Sequence, residues 1–174
     1  FQSTFTYLRE FWDSLPTPED SSTRLPAPPM ESYTTYSHPI AIEDEVIALK
    51  SDLDKPSRLV ALNPTTGEER LLSYTGIIAT RPAYDKVNNR IWWSEYRRSM
   101  MFQQKVTSTL HYLDLDSKRP RTRLMGGRNV LYPTPDDEGG LAWVEYSGDG
   151  IYTLRHELCD GTLRSHSLPF GQEM

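Results

Sequence analysis

Three residues stand immediately before prolines that recur along the chain: His38 before Pro39, Arg81 before Pro82 and Tyr132 before Pro133. Side chains of this kind at equivalent positions of a repeat suit ligand binding, because the repeat gathers them around one axis. A second recurring pair, Glu95 and Glu145, follows near the end of the next apolar stretch. For all five residues the competing reading is a structural one, in which each makes hydrogen bonds between repeats. Other constellations are weaker. Cys159 lies three residues from His156, and an imidazole can activate a thiolate, but both flank an Asp160-Gly161 turn with no third group to orient the pair. No Gly-x-Ser-x-Gly elbow is present. The carboxylates Asp52/Asp54, Asp114/Asp116 and Asp136/Asp137/Glu138 lack the glycine and terminal glutamate of a calcium loop. They are expected to accept turn amides instead. His38, His111, His156 and His166 show no zinc spacing. The reading is therefore of no catalytic residue, no metal and no cofactor in this chain, with His38, Arg81, Tyr132, Glu95 and Glu145 as the binding candidates.

The elements that carry these residues repeat. The marker prolines are 43 and 51 residues apart, and each precedes a strong strand pattern: EVIALK at 45–50, RIWWSEY at 90–96 and LAWVEY at 141–146. A second strand follows in each unit (RLVALN, TLHYLDLD, YTLRHEL), then a polar turn, then a closing strand (ERLLSY, RTRLM, LRSHSL). With one strand around each proline, every unit has four. Asn88-Asn89, Gly139-Gly140 and Asp160-Gly161 are dipeptides that adopt positive φ in tight hairpins. A repeated four-stranded antiparallel unit of about 40–50 residues is the pattern of a propeller blade. In RIWWSEY, Ile91 and Trp93 point to one face while Trp92, Ser94 and Tyr96 point to the other. Large residues on both faces suit a sheet packed between neighbours. The expected class is all-β, with three blades at about 36–76, 77–127 and 128–170.

Ahead of the blades, Phe5, Leu8, Trp12 and Leu15 fall on one helical face within residues 1–15, with Thr4 or Thr6 as a cap, and Pro16 and Pro18 end the pattern. Residues 16–35 are rich in Pro, Ser and Thr and read as an extended strap. Residues 1–35 thus form a helix and linker, and 36–174 the repeat domain. The 174 residues carry a formal charge of −5, which argues against a general nucleic-acid binder. The bunch Lys118, Arg119, Arg121, Arg123 and Arg128 is read as the guard of an outermost strand. No apolar run reaches the roughly 20 residues of a membrane helix. One cysteine excludes an internal disulfide framework. The first residue is Phe1, which leads us to expect a piece of a longer polypeptide.

RPAYDKVNNRIWWSEY and YPTPDDEGGLAWVEY resemble the inner half of the TolB-type, WD40-like propeller repeat, and TLHYLDLDSKRPRTRL and YTLRHELCDGTLRSHSL resemble its outer strands. The resemblance covers about residues 36–170. The first repeat departs from it most, with AIEDE where an Asp-Gly turn belongs. The leading segment FTYLREFWDSL, the strap and SHPIAIEDEVIALK resemble the approach to such a propeller in large cell-envelope proteins of the Bacteroidetes type. The resemblance implies a non-catalytic module for protein or peptide interaction, in the periplasm or envelope. A second implied role is an accessory propeller that gates or positions substrate for a peptidase whose catalytic residues lie elsewhere. Three blades leave two blade faces uncovered. Two copies would supply six blades, so a homodimer closing a ring is the expected partner state.

Overall fold

The computed structural model describes residues 2–14, 32–98, 106–117, 119–123, 129–147 and 150–167. Most of the predicted strap, Lys118 and Arg128 lie outside the described residues. A helix, α1 (Gln2–Ser14), precedes twelve strands. Thr4 and Thr6 lie inside it rather than capping it, and Tyr7, Leu8 and Phe11 are each at least half exposed.

The strands form three antiparallel sheets of four. The first holds β1 (Thr34–Ile42), β2 (Glu45–Asp52), β3 (Arg58–Leu62) and β4 (Glu69–Tyr74). The second holds β5 (Ala83–Asp85), β6 (Arg90–Arg98), β7 (Val106–Asp114) and β8 (Arg119–Arg123). The third holds β9 (Asn129–Pro135), β10 (Leu141–Ser147), β11 (Ile151–Glu157) and β12 (Leu163–Ser167). Each sheet runs in chain order, so its strands are joined by successive hairpins. The hairpin turns are built by short polar side chains. Asn63 accepts the amides of Thr65 and Thr66, Asp114 that of Ser117, Asp136 those of Glu138 and Gly140, and Asp160 that of Thr162. The clustered carboxylates thus shape turns, as their spacing predicts.

The alternation in β6 places the two tryptophans on opposite faces. Ile91 and Trp93 join Ile47, Leu59, Ala61 and Leu113 in a core between the first and second sheets. Trp92 and Leu110 join Val130, Leu141 and Trp143 in a core between the second and third. The middle sheet is therefore apolar on both faces, and every sheet is a layer in a stack. The outer strand β8 is exposed along Arg119 and Arg121, a charged edge that resists pairing with another strand. Arg123 turns inward, pairs with Glu157 and lies over the Trp143 ring.

The outer face of the first sheet carries a polar cluster beside the buried apolar residues Ala48, Val60 and Leu62. Lys50 donates to both carboxylate oxygens of Glu69 at 2.8 Å, and the Tyr36 hydroxyl donates to the same group at 2.6 Å. In the strand register, Lys50 lies opposite Arg58 and Glu69 opposite Leu62. A line between the two side chains crosses β3 at Val60, which is fully buried. Beside this cluster Arg58 and Asp52, both largely buried, form an ion pair across the β2–β3 loop.

Candidate functional site

The first strand of each sheet is irregular at its marker proline. In β1 the register shifts between Ser37 and Ile40, and in β9 the residues Tyr132 and Pro133 are the ones left without partners on β10. His38 and Tyr132 each have φ of 54°, the left-handed region. A β-bulge at these points accounts for both observations. The chain must turn locally, and the following proline supplies no amide to the ladder. The second sheet carries a longer interruption: Ile78 bridges to Glu95, and pairing resumes only at Ala83 opposite Trp92. Arg81 and Pro82 lie in that gap. Thus His38 and Tyr132 sit inside their strands rather than in the loops leading into them, and Arg81 sits in a break of the corresponding strand.

Polar side chains tie the second and third sheets together at this level. The Tyr132 amide donates to the Thr80 hydroxyl at 3.1 Å, which shares a second bond with the buried Ser94 hydroxyl at 2.8 Å. One step along, the Ser108 hydroxyl donates to the Val130 carbonyl and accepts the Val130 amide, at 2.7 and 2.6 Å, in a fully buried position. A hydrogen-bonded bulge is thereby held in register with the neighbouring sheet. Its product is a shallow groove of about 360 Å³ lined by Arg81, Pro82, Ala83, Tyr132, Pro133 and Thr134. The Tyr132 ring is mostly exposed and the Arg81 side chain reaches solvent. Among the described residues Arg81 has no acidic partner. The groove combines a free guanidinium, an exposed aromatic ring and two rigid prolines. Among the described residues it places no nucleophile beside a base.

The structure brings Arg81 and Tyr132 together and leaves the other three candidates apart. His38 occupies the matching bulge of the first sheet. Glu95 and Glu145 are built into their own sheets. The Trp93 indole donates to Glu95 at 2.6 Å, and the Trp143 indole donates to Glu145 at 3.2 Å. Across from each tryptophan the next strand supplies a basic side chain: His111 lies 3.6 Å from Glu95, and Arg155 donates to Glu145 at 3.0 Å. This is one repeated unit, Trp-x-Glu with a basic residue opposite the Trp, and these bonds lie within a sheet. Burial holds the His111 imidazolium pKa down, against the opposing pull of Glu95. Its ring is also clamped between the Thr109 and Thr122 hydroxyls. His156 and Cys159 are not a pair. His156 bonds Asp136 at 2.7 Å and draws the carboxyl of that residue down, while Cys159 lines a different cavity.

Sequence reasoning missed Thr80, Ser94 and Ser108. Their signal was available: a serine amid RIWWSEY and another amid VTSTLHY, each buried in an apolar strand that a hydroxyl enters only with a partner. It also missed the seam cavities. One of about 430 Å³ lies between the second and third sheets, where Arg90, Arg123, Trp92 and Tyr112 meet the turn at Gly139-Gly140.

Comparison of the fold with solved structures agrees with this layered arrangement. The propeller domain of the Trilobed protease from Pyrococcus furiosus, described as an open velcro topology, superposes with a TM-score of 0.57 at 15% identity. The match covers 79% of this chain and 43% of that one. The chain folds as three blades of a β-propeller. It spans less than half the length of that propeller chain. A Mycobacterium tuberculosis puromycin-hydrolyzing peptidase aligns at 16% identity with a TM-score of 0.49, over 76% of this chain and 23% of the other. No family profile matches the sequence, and no curated protein matches it. Among the described residues no helix is long and apolar enough to cross a membrane.

Proposed function

We propose that this chain is a non-catalytic propeller module that holds a protein or peptide partner along the groove between its second and third blades. The observation that carries the reading is the convergence of Arg81 and Tyr132, from consecutive blades, on one groove whose walls are prolines. The bonds from Thr80 and Ser108 fix the groove before a partner arrives, so little ordering cost falls on binding. The Arg81 guanidinium, with no acidic partner among the described residues, gives polarity to the site, and the ring and prolines give it apolar surface. The test is panning of a displayed peptide library against the immobilised chain. One enriched sequence class, lost on Arg81→Glu and on Tyr132→Ala, supports the reading. Enrichment that survives both substitutions overturns it.

We propose as its setting a larger protein of the cell envelope, a reading supported by the resemblance of FTYLREFWDSL, the strap and SHPIAIEDEVIALK to the approach to such a propeller in envelope proteins. Fractionation of cells expressing the natural full-length protein tests it. A second reading draws on the same groove. The solved propeller that this fold matches is part of a protease, and an accessory propeller that positions substrate for a catalytic domain would use the same surface. Either reading expects this chain alone to be silent with peptidase substrates; turnover by the purified chain refutes both. We further propose that two copies close a six-bladed ring. Light scattering across a dilution series reads this directly, and a monomer at every concentration overturns it.

A further inference from the structure

We propose that the seam between the first and second blades receives one lysine or arginine side chain of a partner polypeptide, its stem in an apolar cavity and its charge at an acidic rim. The cavity is about 260 Å³ and is floored by Ile42, Ile47, Leu72, Leu113 and Leu115. These are residues of the interblade core or packed against it, so the floor is rigid and water there is poorly bonded. The volume falls below the roughly 300–1,000 Å³ of a drug-sized ligand pocket. It suits a single side chain.

The rim decides which side chain. It carries Glu43 and Asp44 from the β1–β2 turn, Glu45 from the start of β2 and Arg70 from β4. Glu45 and Arg70 pair at 2.7 Å and neutralise each other. Glu43 and Asp44 have no cationic partner among the described residues. Asp116 adds a carboxylate nearby, bonded to the rim residue Asn89 at 2.6 Å. After burial, the charges of Glu43 and Asp116 are the leading causes that raise the Tyr84 phenol. The acidic groups therefore act at one end of this seam. The first repeat is also the one whose turn departs from the Asp-Gly form, and Glu43 adopts φ of 51°, where glycine or asparagine is the ordinary choice. The departure places two carboxylates at the mouth of an apolar pocket. Lysine and arginine are the side chains with an aliphatic stem to bury and a cationic head to leave at the surface.

This proposal stands independently of the groove at Arg81. The probes are blocked, fluorescently labelled pentapeptides of alanine with a central arginine, lysine, norleucine or glutamate, read by anisotropy against the full chain. Arginine and lysine peptides are expected to bind, with norleucine at least tenfold weaker and glutamate silent. Glu43→Gln with Asp44→Asn, both on an exposed turn, is expected to weaken the arginine peptide at least tenfold with an unchanged thermal melt. Arg81→Ala is expected to leave it unchanged, which separates this site from the groove. Equal binding of norleucine and arginine overturns the proposal, as does an insensitive double variant or silence of all four peptides. Hexylamine competing as tightly as the arginine peptide overturns the assignment to a polypeptide.

Discussion

Trp93 is the residue through which packing and polar satisfaction meet, and its replacement tests both. The ring is essentially fully buried in the core between the first two blades. Its indole donates to Glu95 at 2.6 Å. Trp93→Ala removes the ring and leaves a cavity, at a cost of about 3–5 kcal/mol. It also removes a hydrogen bond to a charged group, worth about 1.5–3 kcal/mol. The total, about 4.5–8 kcal/mol, matches the lower part of the 5–15 kcal/mol that holds a typical domain together, and a three-blade piece with uncovered faces belongs at that end. Trp93→Ala is therefore expected to be largely unfolded. Trp93→Phe keeps most of the volume and loses the donor, so it is expected to cost about 2–4 kcal/mol and remain folded. Urea unfolding followed by far-ultraviolet circular dichroism measures each variant. A double-mutant cycle with Glu95→Gln isolates the bond. Trp93→Phe within about 0.5 kcal/mol of the parent, or equal in cost to Trp93→Ala, refutes the reasoning that the indole–carboxylate bond holds the repeat.

Other substitutions read other features. A methyl at Gly140 would lie 2.6 Å from the Glu157 carbonyl oxygen, and one at Gly76 would lie 2.6 Å from a Glu95 carboxylate oxygen, whereas one at Gly161 meets open space. Gly161→Ala, at φ of 83°, is expected to cost about 1–2 kcal/mol from backbone conformation alone. Gly140→Ala is expected to cost more than either of the other two, because backbone cannot step aside as a carboxylate can; thermal melts rank the three. The Arg58 guanidinium holds Asp52 from 3.8 down to about 2. The stabilisation this gives is complete above the ordinary carboxylate range and is lost as pH falls through about 2. Acid titration of Asp52→Asn is expected to lack that part of the transition. His111 is held neutral by burial, so the folded state binds fewer protons than the unfolded one and stability falls as pH drops below 6.5. His111→Gln is expected to flatten stability between pH 7 and 5, measured by denaturant midpoints; an unchanged slope contradicts the assignment.

Much of the fold is legible in the chain because blades are local. RIWWSEY carries its own register: alternation sends Trp93 to one neighbour and Trp92 to the other, and both arrive. Asn63, Asp114 and Asp160 announce turns because a short polar side chain reaches only the amides two or three residues away. The candidate site was half legible. The prolines marked equivalent positions, and Arg81 and Tyr132 do share a groove. Glu95 and Glu145 recur just as regularly, yet their repetition reflects an indole two residues away on the same face of the strand.

Strand pattern and hairpin turns are properties of segments under about ten residues, the count of blades follows from their recurrence every 43 to 51 residues, and the sequence by itself determined them. Tertiary structure alone decided which recurring residues face an open groove and which are buried in a sheet. It alone decided that Ser108 meets Val130, 22 residues away. It also decided that the seam at Ile42 and Leu115 stays hollow. Each of these depends on how two twisted sheets approach one another, and that distance is set by side chains from both, which no single segment contains.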